Sequence, residues 1–250
     1  MEYLNVEGAR ICYAAGKGED PADVPVLLVH GAGGSQHVWL RQLEPEIPGY
    51  RLLALDLPGH ARSEGAGSRS VEEYCDFVGD FMDAAGFEKI VLGGHSMGGA
   101  ITQRFALKYP RRLRGIVLVG TGARLRVAET VLENARKGIN LPEYAYSPKT
   151  SKSLISRAEM EFDLTSPQVR YGDFLACDGF DLMEEVHKID AKTLIVCGEE
   201  DRLTPPKYSV YLRERIPGAV YEPVPDAGHM VMWEKADAVN KALEGFLKRL

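Results

Sequence analysis

Gly94-His95-Ser96-Met97-Gly98 is the stretch whose residue types and spacing speak most directly of chemistry. Ile90-Val91-Leu92 before it is a short apolar run bounded by glycines and reads as a buried strand. Ala100 to Tyr109 after it reads as a helix, with Ile101 and Phe105 one turn apart and Pro110 as the stop. A serine on so tight a strand-to-helix turn has a strained backbone and an exposed hydroxyl. Glycines two residues before and after keep side chains from colliding where strand and helix nest. The new helix aims its free N–H groups and positive dipole end at the serine, where an anionic transition state would be stabilised. The chemistry expected is nucleophilic attack by Ser96.

The elements that must position this serine follow from the hydrophobic pattern. Tyr3–Val6 and Ala9–Tyr13 flank Glu7-Gly8 as a hairpin, and Gly16 to Asp23 is a polar loop. Val24–Val29, Leu52–Leu57, Leu113–Val119, Thr193–Cys197 and Ala219–Val224 read as further strands, apolar enough to be covered on both faces. Ser70-Val71-Glu72-Glu73 has the pattern of a capping box. The helix it opens lines up Val71, Tyr74, Cys75, Val78, Phe81, Met82 and Ala85. Pro206–Ile216 and the chain end, with Val239, Leu243, Phe246, Leu247 and Leu250 on one face, read as helices. Residues 123–187 break the rhythm: they are helical in patches, charged, and without a clear strand. They read as an insertion over the sheet, so the expectation is one domain built from 1–122 and 188–250. Strands alternating with helices imply a mostly parallel sheet of about eight strands. Ligand sites in such sheets lie beyond the C-terminal strand ends. Ser96, Asp201 and His229 each follow a strand, so all three fall at that edge, in the order serine, acid, histidine.

Composition narrows the class. A length of 250 residues supports one large domain with a full core. A net charge of -6 argues against nucleic acid or an anionic membrane surface as a partner. No apolar run approaches the roughly 20 residues of a membrane span. The N-terminal Met-Glu-Tyr-Leu-Asn-Val lacks the pattern of a signal peptide. The 4 cysteines, Cys12, Cys75, Cys177 and Cys197, form no Cys-x-x-Cys pair, so free thiols and a reducing, cytoplasmic compartment are expected. His30-Gly31-Ala32-Gly33-Gly34 lacks the lysine of a phosphate loop and the third glycine of a dinucleotide fingerprint.

Taken with Asp56-Leu57-Pro58-Gly59-His60, the elbow, Gly198 with Asp201 and Pro205, and Gly228-His229, the chain resembles the α/β-hydrolase superfamily from end to end. The type it resembles is small and single-domain, with a helical cap inserted after the sixth strand. The resemblance and the chemistry together give roles: Ser96 as nucleophile, His229 as base and later acid, Asp201 as the group orienting His229. The oxyanion hole would be the N–H groups of Met97 and Ala32, with Gly31 as the fallback for Ala32. Glu199, Glu200 and Asp226 are rival acids; Asp226 is only three residues from His229 and badly placed for the far ring nitrogen. Among the 6 histidines, His95 should point away from the hydroxyl, His30 and His60 belong to structural motifs, and His37 and His187 follow no strand end. Asp56 is expected to brace loops. Where many relatives have glycine after Pro-Gly-His, this chain has Ala61. A serine elbow also disfavours dehalogenase and epoxide hydrolase chemistry, which needs a carboxylate there.

The resemblance implies hydrolysis of a small or medium carboxylic ester through an acyl-serine, by a monomer or homodimer, without metal or cofactor. Lactones and thioesters are close variants. A carbon–carbon bond hydrolase of ring-cleavage products is the alternative, with Arg124, Arg126 or Arg157 of the cap holding a carboxylate or enolate. A ligand receptor that retains the triad is a third reading. Tyr171, Phe174 and Met230 are the candidate substrate contacts.

Overall fold

A computed structural model describes residues 1–18, 20, 22–139 and 144–250. Glu19 and Pro21 of the polar loop, and residues 140–143 of the insertion, lie outside them. The strands are β1 (Glu2–Val6), β2 (Ala9–Ala15), β3 (Val24–Val29), β4 (Tyr50–Leu55), β5 (Ile90–His95), β6 (Leu113–Val119), β7 (Thr193–Gly198) and β8 (Val220–Val224). The helices are α1 (Leu40–Leu43), α2 (Val71–Ala84), α3 (Met97–Lys108), α4 (Glu129–Arg136), α5 (Lys152–Phe162), α6 (Pro167–Asp178), α7 (Pro206–Arg215), α8 (Val231–Glu234) and α9 (Ala236–Leu247). The strands form one 8-stranded sheet in the order β1-β2-β4-β3-β5-β6-β7-β8. The β1–β2 and β2–β4 pairs are antiparallel and the rest are parallel.

Alternation explains the continuous apolar runs. Leu27 and Val29 enter the core beneath α2 and α3, while Val26 and Leu28 enter the core beneath α8 and α9. Both faces are covered, so neither set of side chains can be polar. In α2, Val71, Tyr74, Cys75, Val78, Phe81 and Met82 are buried. The capping box is only half made. Ser70 Oγ accepts the Glu72 N–H at 3.1 Å, but Glu73 turns to the Ser68 hydroxyl, and it is Ser68 Oγ that takes the Ser70 N–H, at 3.0 Å. Ala61 sits in the left-handed region at φ 42°, so alanine is held in a conformation that glycine adopts without strain.

Helices α4, α5 and α6 lie between β6 and β7. The two ends of this segment are laced together: the Leu182 N–H donates to Ala123 O at 2.7 Å and the Leu125 N–H to Phe180 O at 3.3 Å. The segment is not uniformly a flap. Ala176, Cys177, Phe180 and Leu182 belong to the same core cluster as α3, whereas the described side chains of α5 are half-buried at most and Met160 is 74% exposed. Among the described residues no helix is long and apolar enough to cross a membrane. The 4 cysteines are free and buried.

Candidate active site

β5 ends at His95 and α3 begins at Met97, leaving Ser96 alone on the turn at φ 53°, ψ -114°. That conformation costs a non-glycine residue on the order of 1–3 kcal/mol. Its neighbours hold it there. The Ser96 N–H donates to Val119 O at 2.9 Å, and the Ser96 carbonyl accepts from the Gly99 N–H at 2.9 Å and the Thr121 hydroxyl at 2.9 Å. The flanking glycines are steric requirements. A Cβ on Gly94 would stand 2.0 Å from Gly98 O, and one on Gly98 would stand 2.3 Å from Val29 O.

Asp201 follows β7 and His229 follows β8, so two loops at the same sheet edge bring them together. His229 Nδ1 donates to Asp201 Oδ2 at 2.9 Å. A carboxylate only accepts, so this contact places the proton on Nδ1 and leaves Nε2 to handle protons in the cavity. Asp201 Oδ1 also accepts the N–H groups of Leu203 at 2.9 Å and Thr204 at 2.8 Å, and Oδ2 accepts the Thr204 hydroxyl at 2.8 Å. Burial by itself raises the Asp201 pKa, but the His229 contact and the Thr204 bonds outweigh it and hold the carboxyl below its usual range.

Of the rival acids, Glu199 is exposed and the other two are engaged elsewhere. Glu200 accepts the Ser147 hydroxyl, and Asp226 pairs with Lys149 on the surface. Asp56 accepts the Gln36 N–H at 2.6 Å and the Arg62 N–H at 3.4 Å, bracing two loops.

The other histidines fall in different surroundings. His30 donates from Nδ1 to Gly31 O at 2.8 Å and accepts the Leu57 N–H on Nε2 at 3.1 Å, a pattern only the neutral ring can make. Burial also pushes its pKa well down. His37 faces Glu161 at 3.6 Å, and His187 is exposed. His95 does turn from the serine, but not into a passive space. Its Nε2 donates to His229 O at 3.0 Å and its ring lies 4.4 Å from the His229 ring. Burial, then the neighbouring His229, lower its pKa well below the ordinary value, so it stays neutral. This support of the His229 backbone has no signal in the sequence.

His60 is different. Nδ1 faces Pro58 O at 3.1 Å and Nε2 faces Asp173 Oδ2 at 2.7 Å. Both partners are acceptors, so both ring nitrogens carry protons. Burial lowers its pKa, but Asp173 more than reverses this and the net shift is upward. The folded state therefore holds this proton more tightly than the unfolded chain. The stabilisation is complete below about 6.5, the ordinary imidazole value, and is lost as pH rises through the higher folded value. His60→Gln should lower unfolding free energy by about 3 to 5 kcal/mol at pH 6, with a gap to wild type that narrows towards pH 9 in urea titrations. A constant gap would show that the pair is not ionised.

Ser96, His95, His229 and Ala32 open onto one cavity of about 610 Å³, in the range of small-molecule sites. Met97 is the first residue of α3, so its N–H has no acceptor within the helix. The Ala32 N–H likewise has no acceptor among the described residues. The glycine loop passes directly over the serine: a Cβ on Gly31 would lie 3.1 Å from Ser96 Cβ. Phe174 and Met230 line the cavity and Tyr171 does not. The reason is helical geometry. Arg170, Phe174 and Cys177 share one face of α6 toward the cavity, and Tyr171 is rotated about 100° from Arg170. Of Arg124, Arg126 and Arg157, the candidates for holding an anion, Arg126 reaches the cavity, while Arg124 pairs with Asp181 at 3.7 Å and Arg157 is exposed.

Residues 26–242 match the Alpha/beta hydrolase family. The chain belongs to this family. Among curated relatives of this α/β-hydrolase, the 2-hydroxy-6-oxo-6-phenylhexa-2,4-dienoate hydrolase of Burkholderia cepacia is 30% identical, across 93% of this chain and 89% of that enzyme. A thermophilic esterase of known structure is 34% identical, covering 99% of this chain and 97% of its own, with a TM-score of 0.86. The enol-lactonase from Burkholderia xenovorans LB400 superposes with a TM-score of 0.89 at 23% identity, over 99% of this chain and 100% of that one, a likeness of fold.

Proposed function

We propose that this α/β-hydrolase is a serine esterase acting on small or medium carboxylic esters through an acyl-Ser96 intermediate. The observation that carries the reading is the junction of a strained Ser96 and an Asp201-oriented His229 on one cavity. In the mechanism that follows, Ser96 Oγ attacks the ester carbonyl carbon while its proton passes to His229 Nε2. The carbonyl oxygen becomes an oxyanion facing the Met97 and Ala32 N–H groups. Collapse breaks the carbon–alkoxy bond, and His229 returns the proton to the leaving alcohol. Water then repeats the sequence on the acyl-serine and releases the acid. The likeness to a thermophilic esterase at 34% identity supports this choice of bond.

Carbon–carbon bond hydrolysis is the second reading. It is favoured by the relative that hydrolyses a phenylhexadienoate and by Arg126 in the cavity wall, a cation able to hold a substrate carboxylate. Initial rates on p-nitrophenyl esters of rising chain length, with ring-cleavage dienoates alongside, separate the two. Faster turnover of dienoates than of every ester would replace the first reading with the second.

The cavity wall supplies a prediction. Phe174→Ala enlarges the pocket and should move the acyl-chain optimum in kcat/KM toward longer chains, by about 10-fold in relative preference, since one or two methylenes in an apolar pocket are worth about 1–3 kcal/mol. Tyr171→Ala, on the other side of α6, should leave the profile within about 2-fold of wild type. An unchanged profile in Phe174→Ala would place the acyl chain elsewhere.

A further inference from the structure

The loop that carries the Ala32 N–H is Gly31-Ala32-Gly33-Gly34, and its glycines impose little conformation of their own. Something outside the loop must fix the direction of that N–H. From below, His30 Nδ1 and the Gly34 N–H both donate to Gly31 O, at 2.8 and 3.0 Å. From above, the cap closes on Gly33, where a Cβ would lie 2.5 Å from the Phe162 ring and 3.0 Å from Arg170 Cγ. The one polar hold on Gly33 among the described residues also comes from the cap: its N–H donates to Asp173 Oδ2 at 2.7 Å. Asp173 is fully buried on α6 and accepts two further bonds, from His60 Nε2 at 2.7 Å and from the Tyr74 hydroxyl at 2.6 Å.

We infer that Asp173 is a positioning residue of the oxyanion loop: its carboxylate, delivered by the cap, takes the Gly33 N–H and so fixes the adjoining Ala32 peptide for the negative charge formed at Ser96. The inference rests on the esterase reading for its kinetic consequence.

Two features require a carboxylate here. Three donors converge on one side chain, and only an acceptor-only group with two oxygens satisfies all of them; an amide has one acceptor oxygen. A lone carboxylate beside the oxyanion would oppose the charge that forms there. His60, protonated on both nitrogens, cancels it, so the pair holds the loop while adding little net charge. The cap therefore does more than cover substrate: helix α6 completes the geometry of a catalytic loop 140 residues earlier in the chain.

The test compares Asp173→Ala, Asp173→Asn and Tyr74→Phe. Tyr74→Phe removes one bond to Asp173 and leaves the Gly33 bond in place, so it reports the purely structural part of the network. On a p-nitrophenyl ester, Asp173→Ala should lose roughly 100-fold in kcat with KM within about 3-fold, and Asp173→Asn, which keeps one acceptor, should recover to within about 10-fold of wild type. Tyr74→Phe should lower the melting temperature and hold kcat within about 2-fold. Amide hydrogen exchange gives a readout without substrate: Gly33 should lose protection in Asp173→Ala and keep it in Tyr74→Phe. Equal kcat losses in Asp173→Ala and Tyr74→Phe would overturn the inference, as would unchanged Gly33 protection. If Asp173→Ala does not fold, the comparison of Asp173→Asn with Tyr74→Phe decides. A wild-type protein that hydrolyses no ester would sink the esterase reading, and Gly33 exchange would still decide whether Asp173 holds the loop.

Discussion

Ser96→Ala should lower turnover of the best p-nitrophenyl ester by roughly a million-fold, the order of loss seen when the nucleophile of a serine triad is removed. The fold should survive. Ser96 is held at φ 53° by bonds to its own backbone N–H and carbonyl, from Val119, Gly99 and Thr121, and alanine keeps all of them. Its melting temperature should therefore stay within a few degrees of wild type. A residual rate above that of water is expected, because the oxyanion donors and the cavity remain and contribute on the order of 10³-fold without the nucleophile. The complementary measurement is covalent. A serine-reactive phosphonate should add one label to the wild type, at Ser96, and none to the variant. Label on another serine, or turnover that survives the substitution, would remove the basis of the proposed mechanism.

Asp201→Asn should cost roughly 10⁴-fold in kcat. The loss comes from the wrong imidazole tautomer. The backbone N–H groups of Leu203 and Thr204 both donate to Oδ1, so an asparagine would keep its oxygen there and turn its NH₂ toward His229. That donor demands an acceptor on Nδ1, which moves the imidazole proton to Nε2. A ring protonated at Nε2 cannot take the serine proton. Asp226→Asn is the control. Asp226 is three residues from His229, but its side chain is 48% exposed and pairs with Lys149 at the surface, so kcat should change less than 2-fold. Steady-state kinetics on the two variants decide the acid. Losses within a factor of ten of each other would refute Asp201 in that role.

The elbow and the sheet are legible in the sequence because the constraints behind them are local. The elbow is a five-residue problem: Gly94 and Gly98 must be glycine because strand and helix meet there, so the pattern is written into adjacent positions. Alternation between two covered sheet faces likewise makes Val24–Val29 apolar throughout, and a run of that kind is visible in a window of six residues. Capping was only partly legible, because Ser68 competes with Glu73 for the same N–H and side-chain competition leaves no pattern in spacing.

The sequence by itself determined which apolar runs become strands, though not their exact ends (the run read as Leu52–Leu57 is Tyr50–Leu55), and with them the order in which Ser96, Asp201 and His229 reach one edge of the sheet. Only the tertiary structure decided what surrounds them. His95 holds the backbone of a residue 134 positions later, and Asp173 holds a glycine 140 positions earlier. Hydrophobic periodicity cannot report such contacts, since each is a single polar bond between segments far apart in the chain. The same holds for Tyr171 and Phe174: both are aromatic residues on α6, three positions apart, and only the way α6 docks against α3 turns Phe174 into the cavity and Tyr171 out of it.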